Sequence, residues 1–376
     1  MQIAPFDMER FFAIYEFTTP HVLCASDCES MTIAELLDLA GLEVADLGGQ
    51  WLGYTESQGH PELRGLVAAQ TGDGVTAADV TVLATPEEGI YLIMQTLLEP
   101  GDHVVVLTPA YNSLLNVAEH VSGNVSRWEI EVTAVSWQLD LDKLAELLTD
   151  HTKLLVVNFP HNPTGLLPTP DEFAQIVALA RQHDVWLFCD EMYRGLELDG
   201  RSSLPSAITQ YEKSIVLAGL SKAQGLPGLR SGWLLIRDAQ LRADLINWKH
   251  YTSICPPAPS EFLAMAALRA QEKLVARNVA IIRQNLQTAE PFFARWPELF
   301  TWRRPSAGSV ALVETAVPSA TDYCTQLATE TGVLFLPGQM IGYHDTFMRW
   351  GFGRKDFAAN LAHYEAYLHR TQGAGG

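Results

Sequence analysis

From Val80 onward, short runs of β-branched and apolar residues alternate with longer stretches whose apolar positions recur at helical spacing. That alternation predicts crossover units, which build a mostly parallel sheet with helices on its faces. Seven strands are expected, at residues 80–84, 103–107, 124–129, 153–158, 185–189, 214–218 and 233–236. Their near-continuous apolar character is that of strands covered on both sides. Residues 88–98 and 171–183 read as crossover helices, the second opened by Thr169-Pro170-Asp171-Glu172, which offers a cap, an early proline and first-turn acids.

Residues 260–296, rich in Ala, Leu, Arg and Gln and free of Gly and Pro except near the end, read as one long helix joining two domains. Beyond it, strands are expected at 300–303, 309–313, 333–336 and 347–350, with a helix at 321–331, a pattern for a small α+β domain. The first ~50 residues contain no sheet-forming crossover and are expected to pack as an arm on that domain or across the site. A chain of 376 residues exceeds the size at which one core stops growing. The division expected is an arm at 1–50, a large domain at 51–260, and a linker helix with a small domain at 261–376.

Composition narrows the partners. Hydrophobic residues make up 48% and charged residues 18%, far from the signature of a disordered chain. A formal charge of −19 repels nucleic acid backbones and anionic lipid surfaces, and no apolar run reaches the ~20 residues of a membrane helix. Cys24, Cys28, Cys189, Cys255 and Cys324 are scattered without metal-ligand spacing, so no metal is expected and a reduced, cytoplasmic setting fits. The stretch from Met1 to Phe12 lacks the basic and apolar blocks of a secretory signal.

The chemistry is concentrated in a few segments. Ser221-Lys222-Ala223-Gln224-Gly225-Leu226-Pro227-Gly228-Leu229-Arg230-Ser231-Gly232 lies between two expected strands. Cys189-Asp190-Glu191-Met192-Tyr193 closes one strand, and His161-Asn162-Pro163-Thr164-Gly165 follows the strand before it. Gly53-Tyr54 precedes Gly59-His60-Pro61-Glu62-Leu63-Arg64, and Phe347-Met348-Arg349-Trp350-Gly351-Phe352-Gly353 lies near the end. A lone Ser-Lys would carry no information; its ordered companions make the pattern specific. Together these segments resemble the class I/II aminotransferases, fold-type I enzymes that use pyridoxal 5′-phosphate (PLP), and the resemblance runs from Leu52 to Gly353.

That resemblance implies a role for each residue. Lys222 would carry the cofactor as a Schiff base, which needs an amine deprotonated near neutrality, as in a desolvated pocket beside other cations. Asp190 would pair with the pyridine nitrogen and keep it protonated, while Tyr193 and Asn162 would hydrogen-bond the cofactor O3′. Tyr111, in Pro109-Ala110-Tyr111, would stack on the ring. Arg230 and Ser221 would meet the phosphate, Arg230 bidentately. Arg349 would bind the substrate α-carboxylate, with Arg354 as the competitor, and Asn162 would stand beside it. Tyr54 would reach the phosphate of a neighbouring subunit, which implies a homodimer.

Two departures stand out. Gly219 occupies a position where many members place Ser or Thr. Thr85-Pro86-Glu87-Glu88-Gly89 fills the place of the small residues that cradle the phosphate at a helix N-terminus, yet Pro86 has no N–H and Glu87 brings an acid. The cradle is expected to work through the Glu87 and Glu88 amides or to be weaker than usual; the acids serve the helix dipole equally well.

The implied activity is transfer of an amino group from an amino acid to a 2-keto acid. The run Val156-Val157-Asn158-Phe159-Pro160-His161-Asn162-Pro163 is similar to a capreomycidine synthase-like branch, which suggests a cationic substrate facing Glu16, Asp27 or Glu29. Solvated arm acids are the plainer alternative. The same residues also suit a PLP-dependent lyase or cyclase. A non-catalytic PLP-binding sensor behind a DNA-binding helix-turn-helix is the remote reading; the arm before Trp51 is too short for that module, and the acidic charge opposes it. The joint presence of Lys222, Asp190, Tyr193, Asn162, Arg230 and Arg349 argues against a silent binding protein.

Overall fold

The computed structural model describes residues 3–373. Its main sheet has seven strands: β1 (Val80–Leu83), β2 (His103–Thr108), β3 (Val125–Glu129), β4 (Thr152–Asn158), β5 (Trp186–Asp190), β6 (Ser214–Gly219) and β7 (Gly232–Ile236). They lie in the order β1-β7-β6-β5-β4-β2-β3. All pairings are parallel except those of β7, which runs antiparallel to both β6 and β1. The sheet is therefore the mostly parallel α/β sheet expected from the sequence.

Side chains alternate across each strand, so the apolar runs feed two cores at once. Val105, Leu155, Leu187 and Val216 pack into one core, whereas Val104, Leu154, Phe188 and Ile215 pack into the other. Helices cover both faces. Pro170–Gln182 begins as its sequence dictates: the Thr169 hydroxyl accepts from the Glu172 amide, and the Glu172 carboxylate accepts from the Thr169 amide at 2.7 Å. Such a reciprocal cap is worth about 1 kcal/mol.

A second, four-stranded antiparallel sheet joins Phe300–Thr301, Val310–Thr315, Phe347–Gly351 and Leu336–Pro337 in that order. The expected strand at 333–336 is two pieces, because Val333–Leu334 instead pairs in parallel with His21–Val22 of the arm. The first fifty residues thus do contribute a ladder, too short to read from period. An aromatic core of Phe292, Phe300, Phe335, Trp350 and Tyr364 fills this layer and reaches Leu23 and Tyr193. The single helix expected at 260–296 is two, Ala258–Arg269 and Gln271–Arg295, broken at Ala270 (φ −98°, ψ 10°) and continuing through Pro291. The helix Phe357–Gly373 was not read from the sequence.

Candidate active site

In a parallel sheet, loops gather where the strands end at their carboxyl side, and ligands settle there. Here Thr85 follows β1, Tyr111 follows β2, Asn162 follows β4, Asp190 ends β5 and Lys222 follows β6. Arg230 precedes β7, whose reversed direction brings it to the same edge. A cavity of about 590 Å³ opens at that edge, lined by Lys222, Asp190, Tyr193, Asn162, Tyr111, Ser221, Arg230, Pro86, Glu87 and Arg349. A second cavity of about 260 Å³, bordered by Gln70, Arg194, Gln224 and Gln271, includes Gly219 but none of Lys222, Asp190, Tyr193, Asn162, Arg230 and Arg349.

Lys222 Nζ donates to Ser26 Oγ at 2.9 Å. Burial pushes its pKa below the ordinary lysine value, the Arg349 guanidinium adds to the shift, and Asp27, Glu9 and Asp190 oppose it. Asp190 accepts a hydrogen bond from the Met192 amide at 3.0 Å on Oδ1. Burial nevertheless raises its carboxyl to about 7, with Glu87 as a further like charge. Burial thus disfavours the charged form of both the amine and the acid.

Asn158 ties the floor together. Its Nδ2 donates to the Asp190 carbonyl at 2.9 Å and its Oδ1 accepts from the Asn162 amide at 2.8 Å, so one carboxamide fixes the ends of two strands. Arg349 is 1% exposed. Its guanidinium donates to the Cys24 carbonyl at 3.0 Å, reaches Asn162 Oδ1 at 3.4 Å and lies 5.7 Å from the Phe12 ring centre. Its competitor Arg354 also lines the cavity but is paired with Asp27 at 2.8 Å.

At the far end, Arg230 has a left-handed backbone (φ 49°) and donates to the Pro227 carbonyl at 2.9 Å and to Thr85 Oγ1 at 2.6 Å. Pro86 opens the helix Pro86–Leu97. The expectation that the Glu88 amide serves a ligand fails: it donates to the Thr85 carbonyl at 3.1 Å, leaving the Glu87 amide. Gly219 is explained by Pro86. A Cβ on Gly219 would stand 2.9 Å from the Ser231 carbonyl oxygen and 3.1 Å from Pro86 Cγ.

Tyr111 caps the helix Asn112–Val121 and meets Phe6 edge-on at 5.4 Å between ring centres. Tyr54 is not brought to this chain's cavity; it is 84% exposed, beside exposed Trp51 and Leu52. Of the arm acids, Glu16 and Asp27 line the cavity, whereas Glu29 turns away and accepts from the Lys355 amide at 2.9 Å. Sequence reasoning missed Glu9, Met8 and Phe12 on the helix Asp7–Tyr15, together with Ser26, Thr85 and Asn158. The Met8, Phe11 and Phe12 spacing is the signal that could have found that helix, and its place over the cavity is one of the two expected for the arm.

Tyr193 Oη and Ser221 Oγ are buried without a hydrogen-bond partner. Each such group costs about 1–3 kcal/mol unless a ligand completes it. A phenol and a hydroxyl left open, a guanidinium at one end, an acid at the floor and a depressed lysine fit PLP, which carries a ring oxygen, a phosphate, a basic ring nitrogen and an aldehyde. Among the described residues no cluster of His, Cys, Asp and Glu suits a metal ion, and no helix is long and apolar enough to cross a membrane.

Comparison with known proteins points the same way. The family model for aminotransferase class I and II matches residues 21–362. Capreomycidine synthase of Streptomyces vinaceus is 31% identical over 333 residues, 88% of this chain and 84% of that one. Arginine–pyruvate transaminase of Pseudomonas aeruginosa is 30% identical over 304 residues, 77% and 75% of the two chains. The crystal structure of a PLP-dependent aminotransferase from Streptococcus suis superposes with a TM-score of 0.91 at 29% identity, covering 98% of this chain and 99% of the other. The chain is thus a member of the class I and II aminotransferase family, with the fold-type I architecture and pyridoxal 5′-phosphate as its cofactor.

Proposed function

We propose that this chain transfers the amino group of an amino acid to a 2-keto acid, with Lys222 holding the cofactor covalently and moving the proton at the substrate α-carbon. When bound, PLP supplies an electron-withdrawing ring conjugated to that carbon. Lys222 acts as the base because burial and Arg349 favour its neutral form. Asp190 holds a proton on the ring nitrogen, Tyr193 and Asn162 donate to the ring oxygen, and Tyr111 covers the ring. Ser221, Arg230 and the helix start at Pro86 and Glu87 hold the phosphate. Arg349 orients the substrate carboxylate, and a fixed orientation makes one Cα–H bond reactive.

The observation that carries this proposal is that Lys222, with its charged form disfavoured, shares one cavity with buried Asp190 and inward-facing Arg349. Its test is to follow the cofactor's visible absorbance while amino acids are added singly. The expected result is bleaching by a donor, with a keto acid product, and recovery on adding a second keto acid. Ammonia release without lasting bleaching would favour elimination, and a cyclic amino acid formed with neither ammonia nor keto acid would favour cyclisation, a second reading supported by the likeness to capreomycidine synthase.

The favoured donor has a cationic side chain. Glu9, Glu16 and Asp27 line the arm side of the cavity, where Arg354 already answers Asp27. Burial, Asp27 and Glu9 all push the Glu16 pKa upward, a strain that a guanidinium or ammonium tail would relieve. The likeness to arginine–pyruvate transaminase supports this choice. The same proposal includes a cytoplasmic homodimer in which Tyr54 completes the partner's phosphate site, exposed Trp51, Leu52 and Tyr54 being the supporting observation. It also includes the division into an arm at 1–50, a large domain at 51–260 and a small domain beyond.

A further inference from the structure

The phosphate end of the cavity is short of donors. Pro86 has no N–H, and the Glu88 amide is spent on the Thr85 carbonyl. The Glu88 carboxylate is occupied too, accepting from the Ala84 amide at 2.9 Å and from Thr252 Oγ1 at 2.6 Å. Gly219 offers no hydroxyl and has no room for one against Ser231 and Pro86. A helix start ordinarily presents several free amides to a phosphate; this one presents little beyond that of Glu87.

The Glu87 side chain, one residue after Pro86 at the helix start, lines the same cavity as Thr85, Ser221 and Arg230. The groups that face it come from every neighbouring element. Tyr111 and Ser113 offer hydroxyls from the next helix, Glu9 approaches from the arm helix, Asp190 from the end of β5 and Arg230 from the loop before β7. Two of those neighbours are acids and one is a cation. Burial is the largest influence and, with Glu9, outweighs the Ser113 and Tyr111 hydroxyls and the Arg230 charge that favour the carboxylate, so the Glu87 pKa lies above the ordinary glutamate value and the neutral acid persists at higher pH than usual.

We propose that Glu87 binds the cofactor phosphate as a neutral carboxylic acid, donating its proton in a hydrogen bond that replaces the donors lost at Pro86 and Gly219. The proposal rests on this cavity being the PLP site. Its consequence is a pH-dependent grip. Below the folded-state pKa of Glu87 the acid donates; as pH rises through that value the donor becomes a like charge and the cofactor loosens.

The test uses wild-type holoenzyme, Glu87→Gln and Glu87→Ala, with the rate of PLP loss during dialysis read from visible absorbance from the ordinary glutamate range, about pH 4.5, up to about pH 9. Glutamine keeps a donor at every pH and never charges, and comparison with it cancels the titrations of Lys222 and of the phosphate, which both proteins share. Wild type and Glu87→Gln should release PLP alike at the acidic end, and wild type should release it about tenfold faster at the alkaline end. Glu87→Ala should lose PLP about tenfold faster than Glu87→Gln throughout. A wild-type to Gln ratio that does not change with pH, or an Ala variant as retentive as Gln, overturns the proposal. Absence of a visible cofactor band in every protein, wild type included, would overturn the placement of PLP in this cavity along with it.

Discussion

Asp190 ends its strand beside Asn158, and burial outweighs both the Met192 amide and the Lys222 charge, so the carboxyl binds a proton up to about pH 7. Its folded pKa lies above the unfolded one, so between the ordinary aspartate range and about 7 the cofactor-free native state holds the extra proton. Stability of the cofactor-free protein should therefore fall as pH rises through that window, and Asp190→Asn should flatten the decline, as thermal melts at stepped pH would reveal. In the holoenzyme the same variant should keep its cofactor yet lose about a hundredfold or more in kcat, because an amide cannot hold the ring nitrogen protonated. Arg349→Lys exchanges a planar fork for a point charge and should raise KM about tenfold while changing kcat less. Glu16→Gln should raise KM for arginine and leave that for leucine unchanged; equal effects on both would remove the cationic-substrate reading.

Among elements, the strand Phe347–Gly351 does more than carry Arg349. A Cβ on Gly351 would run into the Ala25 backbone, and one on Gly353 into the Asp27 backbone, so both glycines exist to let the arm lie flat against this strand. Gly351→Ala should destabilise the protein by about 1–3 kcal/mol and displace Ser26 and Asp27, raising KM more than it lowers the melting temperature would suggest. Gly219→Ser should cost about 1–3 kcal/mol because Ser231 and Pro86 occupy its space. The strands and crossover helices were legible because buried parallel strands and amphipathic helices leave strong periods. The arm was not, because a two-residue ladder such as His21–Val22 has no period, and its partner Val333–Leu334 lies over three hundred residues away. The break at Ala270 was hidden for a different reason: alanine favours helix, and only tertiary packing turned the chain there. Site residues in local motifs, from Lys222 to Asn162, could be read directly, whereas Glu9 and Ser26 reach the cavity only through the packing of the arm.

At the scale of the molecule, a chain of 41.5 kDa that leaves Trp51, Leu52 and Tyr54 exposed should sediment as a dimer of twice that mass. If Tyr54 serves the opposite site, mixing Lys222→Ala with Tyr54→Ala subunits should restore activity that neither homodimer shows, since one of the two hybrid sites is then intact; no recovery would argue for independent sites. All the chemistry assigned to the cavity converges on one amine. Reduction of the coloured holoenzyme with borohydride, followed by peptide mapping, should place a single pyridoxyl adduct on Lys222. An adduct on any other lysine, or none at all, would contradict the account.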